Sequence, residues 1–596
     1  AGASRTSRGE RARGRVCVTT MRDKYGSVAE EGDPFQPRLY QRSLPRDAAV
    51  PSGRVVTTRP TLLAAISLAA VVGGAALLSH NGARVAAPTQ QLAAANKPVA
   101  PELASFLAAG TTSIDLTSCG AVAYVDSHEA GTANAAALQR CLEAADKVDG
   151  VGEVIVSSTY TLTPMYVTGL SDVTLRVEGE LRASNNVTAW PTAGAWGKTI
   201  GNMLMFKNCT GLSLVGNGVL NGQGTSWWTR ATMALIFSTP FNRPRILEVW
   251  ETERIHIQGL RFLNSPYFHV YIKESRNILI EDASVYVEYD VESNMALAEL
   301  LANETLHGMG MSFKTAIPDI EALDLASLSD DEITLLEDEV LALLDSYGGF
   351  NDLKDGSLTY PLNTDGFDVA GTNVVIRNVT IRNFDDAVAI KSSDSSDIYS
   401  TCSSNVLVED IKVDYGLGMT IGSISPDYET PCIENVVFRN VEFSRPFKAV
   451  YVKTGTRQYG SASVRNITWE NLMISEPLWF AVYIGPQQTL FETEGARGCS
   501  LYPITSTDCE TNALVTISDL TLRNVHSTGG FNPIPGVLRG NASNPIRGIH
   551  FEDVSIKSRE EETYLNESEW AVDKDFVCEN VVDSTAVLAY PAPWCF

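Results

Sequence analysis

Through most of its length the chain repeats one pattern: a polar residue, a short run in which apolar and polar positions alternate, a polar corner, and a second alternating run. The clearest copies are "RNILIEDASVYV", "TNVVIRNVTIRNF", "SNVLVEDIKVDYG", "ENVVFRNVEFSRP" and "RNITWENLMISEP". Alternation places the apolar side chains of each run on one face, so each run reads as a strand with one buried side. From Asn373 the equivalent asparagines are Asn405, Asn435 and Asn466, giving steps of 32, 30 and 31 residues. Strands that recur at this interval without a helix between them predict coils stacked in parallel. The expected fold is all-β, a right-handed single-stranded parallel β-helix (a solenoid) over roughly residues 115–575. Propeller blades would repeat at longer intervals, and a sandwich would need hairpin signals that are mostly missing. An asparagine at the same corner of every coil suits a hydrogen-bonded ladder.

Two stretches leave the strand period. In "TSCGAVAYVDSHEAGTANAAALQRCLEAADK", Ala135, Leu138, Cys141, Leu142 and Ala145 keep helical spacing and predict one short N-terminal capping helix. Between residues 290 and 360, Ser329 and Glu332 form a capping-box signature, and Ile333, Leu336, Val340, Leu343 and Tyr347 share one helical face. This acidic helical insertion is expected to pack its apolar face on the solenoid. Beyond the first helix the rest reads as β almost throughout.

The N-terminal part is of another kind. Residues 1–60 are basic and read as disordered, with Met21 a candidate start. Thr61–Leu78 is an uncharged apolar run of 18 residues, preceded by Arg38, Arg42, Arg46, Arg54 and Arg59. That charge asymmetry places the chain beyond the run in the lumen or outside, through a cleaved signal peptide or a type II single-pass anchor. Residues 79–112 form an Ala/Pro/Gln-rich linker, and 113–596 the folded domain.

Nine cysteines lie beyond the apolar run, as expected of the secretory pathway and an extracellular or cell-surface protein. Proximity pairs Cys119 with Cys141, Cys402 with Cys432, Cys499 with Cys509 and Cys578 with Cys595, leaving Cys209 over. No paired CxxC pattern of a zinc site is present, and no cofactor or metal is implied. Seven Asn-x-Ser/Thr sequons permit glycosylation, but at Asn378 and Asn466 the ladder competes for the same side chain. A net charge of -25 argues against a nucleic-acid partner, which needs clustered Lys and Arg.

The candidate chemistry lies in "NTDGFDVAGTNVVIRNVTIRNFDDAVAIKSS" (363–393), where acids bracket a strand. Asp365 stands 20 and 21 residues before Asp385 and Asp386, close to one short coil. A coil brings its ends side by side, about 4.8 Å apart. Carboxylates that close raise one another's proton affinity, so one can act as an acid while another stays a base. Aspartates at turns also satisfy backbone donors, so solvated corners fit the same residues. Both Asp385 and Asp386 reach one cleft only if the chain turns or bulges there.

The ordered set "NTDGFD" (363–368), "DDAVAIKS" (385–392), "GLGMTIGS" (416–423) and "YVKT" (451–454) resembles glycoside hydrolase family 28, the polygalacturonases. "GNGVLNGQGTSWW" (216–228) and "NSPYFHVYI" (264–272) support it. The resemblance implies a monomeric enzyme hydrolysing a pectic polysaccharide with inversion. By the same resemblance Asp385 is the general acid, and Asp365 and Asp386 hold and deprotonate the water. Asn363, Lys453, Tyr451, Leu417 and Gly418 then contact substrate. Apart from the resemblance, Tyr451, Trp479 and Tyr483 offer stacking surfaces, although aromatic residues at this density more often pack. Inversion with two opposed carboxyl groups needs roughly 6.5–9.5 Å between them. The chain has Gly416-Leu417-Gly418 where the family usually has Gly-His-Gly, and Tyr451-Val452-Lys453 for its Arg-Ile-Lys. Loss of that Arg removes a bidentate partner for a uronate, which points to a rhamnose-containing, esterified or neutral chain. Two other readings remain open: a polysaccharide lyase, and a non-catalytic binding or adhesion solenoid.

Overall fold

The computed structural model describes residues 111–191, 200–237, 241–291, 324–347, 358–393, 401–488, 499, 509–532, 534–558 and 575–596. In these, 28 strands from Thr111–Asp115 to Thr585–Tyr590 join in one continuous sheet wound into a parallel β-helix. The register reproduces the steps read from the sequence. Thr372 and Val374 pair with Ser404 and Val406, which pair with Glu434 and Val436, which pair with Arg465 and Ile467.

The corners explain why asparagine recurs. Asn277, Asn373, Asn405, Asn435 and Asn466 all have φ between 55° and 58°. This left-handed conformation costs most residues about 1–2 kcal/mol, and Asn bears it best because its short amide finds local partners. Those partners are one another: the Nδ2 of Asn373 donates to Asn277 (3.0 Å), of Asn405 to Asn373 (3.3 Å), and of Asn466 to Asn435 (2.6 Å). A second column runs five residues on, with Asn378 donating to Asp282 (2.6 Å), Asn440 to Asp410 (2.9 Å), Asn471 to Asn440 (3.0 Å) and Asn524 to Asn471 (2.8 Å). Asn378 and Asn466 therefore use in the ladder the amide nitrogen that a glycan would occupy.

One face of the coil carries the site. Its strands are Leu204–Lys207, Leu247–Trp250, Val270–Glu281, Phe367–Asn383, Val388–Ile390, Met419–Ile424, Val450–Thr454 and Val482–Gln487. Phe206, Val249, Ile272, Val369, Ile390, Ile421, Val452 and Ile484 point inward and are buried, each on top of the last. Alternation leaves the residues between them facing out.

Helix α1 (His128–Ala145) caps the first coil, and its five expected apolar positions are all buried. At 18 residues it is longer than the short helix expected. A second helix, α2 (Thr225–Phe237), is not foreseen in a region that reads as β almost throughout. It buries Trp227, Trp228, Met233, Ile236 and Phe237 on several sides, so no single polar face marks it in the sequence. Helix α3 (Asp330–Tyr347) carries the predicted capping box: Ser329 N donates to Glu332 Oε2 (2.8 Å) and Glu332 N to Ser329 Oγ (3.3 Å). It buries Ile333 and Val340, while Leu343 and Tyr347 fall outside the described side chains. The insertion docks on α2, where buried Arg230 donates to the carbonyls of Leu325 (3.2 Å) and Leu328 (2.9 Å) and pairs with Asp330 (2.8 Å).

The four proximity pairs are the four disulfides, and Cys209 is buried and free. The apolar run 61–78 lies outside the described residues, among which no helix is long and apolar enough to cross a membrane.

Candidate active site

The turns that lead into the outward face bring the acids together. Phe367, Val388, Met419 and Val450 are in register, so the residues two positions before them, Asp365, Asp386, Leu417 and Lys448, form a column at one edge of the sheet. Gly366 N donates to Asp386 O (2.9 Å), which fixes Asp365 and Asp386 on adjacent rungs. Asp385 joins them because the chain bends at Phe384 and Asp385 before the next strand starts. Oxygens of Asp365, Asp385 and Asp386 all lie within 4.8 Å of one another.

Three buried side chains hold the bend. Asn383 Nδ2 donates to the carbonyls of Thr364 (3.0 Å), Asp385 (3.0 Å) and Asp386 (2.8 Å), tying the two acid-bearing turns to each other. His269 lies against the Asp365 carbonyl through Nδ1 (2.9 Å), while its Nε2 accepts from Ser265 N (3.3 Å). That assigns the proton to Nδ1, and burial, opposed by these backbone contacts, lowers the His269 pKa to about 4, keeping the ring neutral. Arg243 donates to the carbonyl of Leu362 and to Asn363 Oδ1 (2.6 Å), which turns the amide nitrogen of Asn363 toward Asp385 Oδ2 (3.4 Å). Helix α2 supplies the approach: Thr229 bonds Thr359 (2.6 Å), and Thr232 accepts from Tyr360 N (3.2 Å).

Three charges this close cannot all be ionised. At an effective dielectric of about 20, two of them 4.8 Å apart repel by roughly 3–4 kcal/mol, worth more than two pKa units. The surroundings decide which one keeps its charge. Burial and neighbouring Asp386 raise Asp385 to about 7, outweighing Lys453 and Lys391. Burial, then Asp385, Asp368 and Asp386, raise Asp365 well above the carboxylate range, and its Oδ1 is buried with no hydrogen-bond partner. Burial acts on Asp386 too, but Lys453 Nζ at 2.7 Å, Lys391 Nζ at 3.7 Å and Thr420 Oγ1 at 2.9 Å hold it below its ordinary value. Asp368 is raised to about 6 by burial, against the pull of Lys391, which approaches to 3.3 Å as an ion pair without hydrogen-bond geometry. Three carboxylates at this spacing could also ligate a cation, but Lys391 and Lys453 already supply positive charge there.

The 4.8 Å refers to one oxygen of each acid. All three acids rise from one wall, and a water accepted by two carboxylates at about 2.7 Å each needs them only about 4.4 Å apart.

The expected substrate contacts divide. Asn363 and half-buried Leu417 flank the acids. Lys453 is turned to Asp386, and Tyr451 and Tyr483 are buried against Lys448, whose ammonium lies 3.9 and 4.4 Å from their rings. These two tyrosines therefore pack rather than present a stacking surface, because each is covered by its neighbours. Gly418 is buried at φ +90°, and a Cβ there would come within 2.5 Å of the Ala449 carbonyl, so it allows close passage of two backbones. The motifs that carry the resemblance contain Asp368, which brackets the strand with Asp365, and also Lys391 and His269, without giving them a role, whereas Asn383 and Arg243 stand outside those motifs.

A probable polygalacturonase of Arabidopsis thaliana is 25% identical over 370 residues, covering 61% of this chain and 59% of the relative. A polygalacturonase of Cryptomeria japonica is 22% identical over 389 residues, 64% of this chain and 55% of the relative. The chain thus spans little more than half the length of these relatives. The crystal structure of an endo-xylogalacturonan hydrolase from Aspergillus tubingensis shares the fold, with a TM-score of 0.52 at 20% identity over 80% of this chain and 100% of that one. The family model "Glycosyl hydrolases family 28" matches residues 150–294 and 351–573, more than half of the chain and both acid-bearing turns, and the protein belongs to that family.

Proposed function

We propose that the protein hydrolyses glycosidic bonds in a pectin-like polysaccharide, with Asp385 as general acid and Asp386 as base. The observation that carries this is the split of protonation states within one cluster: Asp385 raised to about 7, and Asp386 held low by Lys453 at 2.7 Å. Water held between Asp365 and Asp386 attacks the anomeric carbon as its bond to the leaving oxygen breaks. Asp385 gives its proton to that oxygen, Asp386 takes one from the water, and exchange with solvent restores both. Asp365, whose proton affinity is raised by burial and by Asp385, Asp368 and Asp386, positions the water beside Asp386. The attack inverts the configuration at the anomeric carbon.

Leucine at 417 and a buried tyrosine at 451 leave no arginine or histidine at these two positions, on the C-terminal side of the acids, to read a carboxylate. The preferred substrate on that side is an esterified, rhamnose-bearing or otherwise uncharged residue, and the enzyme acts as a monomer. Four disulfides support an oxidising, extracellular or cell-surface setting, with residues 61–78 as type II anchor or cleaved signal. The test is reducing-sugar release from polygalacturonate, methyl-esterified pectin and rhamnogalacturonan, with Asp385→Asn as control. Product that forms only with the unsubstituted chain, and with inverted anomeric configuration by NMR, is expected. No such product from any of them would overturn the reading, and an unsaturated product would make the protein a lyase.

A further inference from the structure

The helical insertion joins the solenoid beside the general acid. It begins past Tyr289, which follows the strand Ser284–Tyr286, and ends at Tyr360, five residues before Asp365. The family model leaves residues 295–350 unmatched, so the insertion is a feature of this chain rather than of the common fold. Neither tyrosine takes part in the steps given to the acids.

Both meet at Phe384, the residue before Asp385 and part of the bend that brings this acid to the cluster. The ring of Tyr289 stands edge-on to Phe384 at 5.2 Å between centroids and 79° between planes, and Tyr360 at 6.1 Å and 68°. The two tyrosines meet each other at 5.6 Å and 82°. On the next rung Tyr415 stacks on Phe384 at 5.3 Å and 27°. These are the edge-to-face and stacked geometries that aromatic pairs prefer. Each ring is tied down from behind. Arg382 donates to the Tyr289 carbonyl (3.0 Å), and Tyr360 N donates to Thr232 Oγ1 on helix α2 (3.2 Å). Arg382 and Arg445 lie over Tyr415 at 4.8 and 4.5 Å and share Asp414. The Tyr289 hydroxyl is buried without a hydrogen-bond partner, which is unfavourable and leaves the ring as that residue's contribution.

We propose that Tyr289 and Tyr360 are positioning residues for Asp385: closing on Phe384 from the two ends of the insertion, they hold the bend that carries the acid and keep water from its carboxyl. This rests on the hydrolase reading only for what Asp385 does in turnover. Asp365, Asp386, Lys391, Lys448 and Lys453 face Asp385 from the sheet and its edge, as does the Asn363 amide at 3.4 Å. From the insertion it is faced by the Tyr360 phenol, which burial and then the charge of Asp385 raise well above its ordinary range and so keep neutral. Burial is the first cause that raises Asp385, so opening the clamp to water lowers its proton affinity toward the ordinary value.

The test compares the full chain with Tyr289→Leu and Tyr360→Leu, and with Tyr289→Phe and Tyr360→Phe, by two measures. One is the alkaline limb of the pH–rate profile on methyl-esterified pectin, where Asp385 ionises. The other is the pH at which the melting curves of each chain and of its Asp385→Asn derivative cross, which needs no turnover. Each leucine variant should lose roughly tenfold in kcat and bring both limb and crossing down by about one pH unit. Phenylalanine, which keeps the ring, should restore both. Leucine variants that move neither limb nor crossing, or phenylalanine variants that move them as far, would overturn the clamp. So would failure of both leucine variants to fold, which would make the rings ordinary core; if only one fails, the other decides. A crossing that moves without turnover by any of the chains would leave the clamp standing and overturn the hydrolase reading instead.

Discussion

Two polar columns run along this solenoid, and they differ in every respect but geometry. At one corner Asn277, Asn373, Asn405, Asn435 and Asn466 repeat one residue, and Asn373, Asn405 and Asn466 each donate to the amide of the rung before. At the edge of the site-bearing sheet Asp365, Asp386, Leu417 and Lys448 occupy equivalent positions with a different side chain on nearly every rung. The first column meets its hydrogen-bonding needs by repetition. The second leaves Asp365 Oδ1 buried without a partner and crowds carboxylates that cannot all be charged. In a structure built from repeats, a rung that stops repeating and buries charge is where function is to be sought.

The largest effect that tests this contrast comes from Asp385→Asn. Turnover should fall roughly 10²- to 10⁴-fold, the range of a lost general acid. Stability should move the other way. The folded pKa of Asp385, about 7, lies above the ordinary 3.8. The stability this group contributes is therefore complete below 3.8 and lost as pH rises through about 7. Melting curves of the two proteins should diverge in favour of the unsubstituted chain only at acid pH, and in favour of the variant at about pH 8, above the folded pKa. Equal loss of fold and activity would make Asp385 an ordinary buried corner.

Lys453→Met removes the cation nearest Asp386. Breaking a buried pair of this kind costs about 3–5 kcal/mol, measurable by denaturant titration. The parent pH–rate profile should fall on its alkaline side near 7, where Asp385 ionises, and on its acid side below the ordinary carboxylate range, where Asp386 is neutralised. In the variant the acid limb should move to higher pH, and a limb that stays in place would remove Lys453 from the charge balance.

Asn435→Ala attacks the other column. It removes an amide that accepts from Asn466 and places alanine at φ 55°, so a loss of about 1–3 kcal/mol is expected, with kcat unchanged. A change in kcat would erase the distinction between the columns. The smallest effect is expected of Leu417→His, which should raise kcat/KM on fully acidic relative to esterified substrate by roughly three- to tenfold. No shift in that ratio would free residue 417 from substrate choice.

Legibility in the sequence follows the same division. Asp365, Asp385 and Asp386 can be grouped because a short coil turns sequence distance into adjacency, and the Phe367–Val388 register bears that step out. The disulfide pairs and the capping box are legible because their partners are near in sequence. Arg243 is not, since it reaches Asn363 from another coil and across the insertion, and His269 stands in a motif that supports the resemblance without its contact to Asp365 being readable there, for the same reason. Tyr451 and Gly418 are expected at the substrate and are instead packed, because outward register does not by itself mean exposure. Helix α2 escapes because burial on several sides leaves no period to read.

The sequence by itself determined the coil, its corners and the placing of three aspartates on neighbouring rungs, since alternation and repeat length are properties of the chain alone. Only the tertiary structure decided which aspartate keeps its proton. Burial sets the cost of each charge, and Lys453, 67 residues beyond Asp386 in sequence and 2.7 Å away in space, decides that Asp386 is the one to bear it.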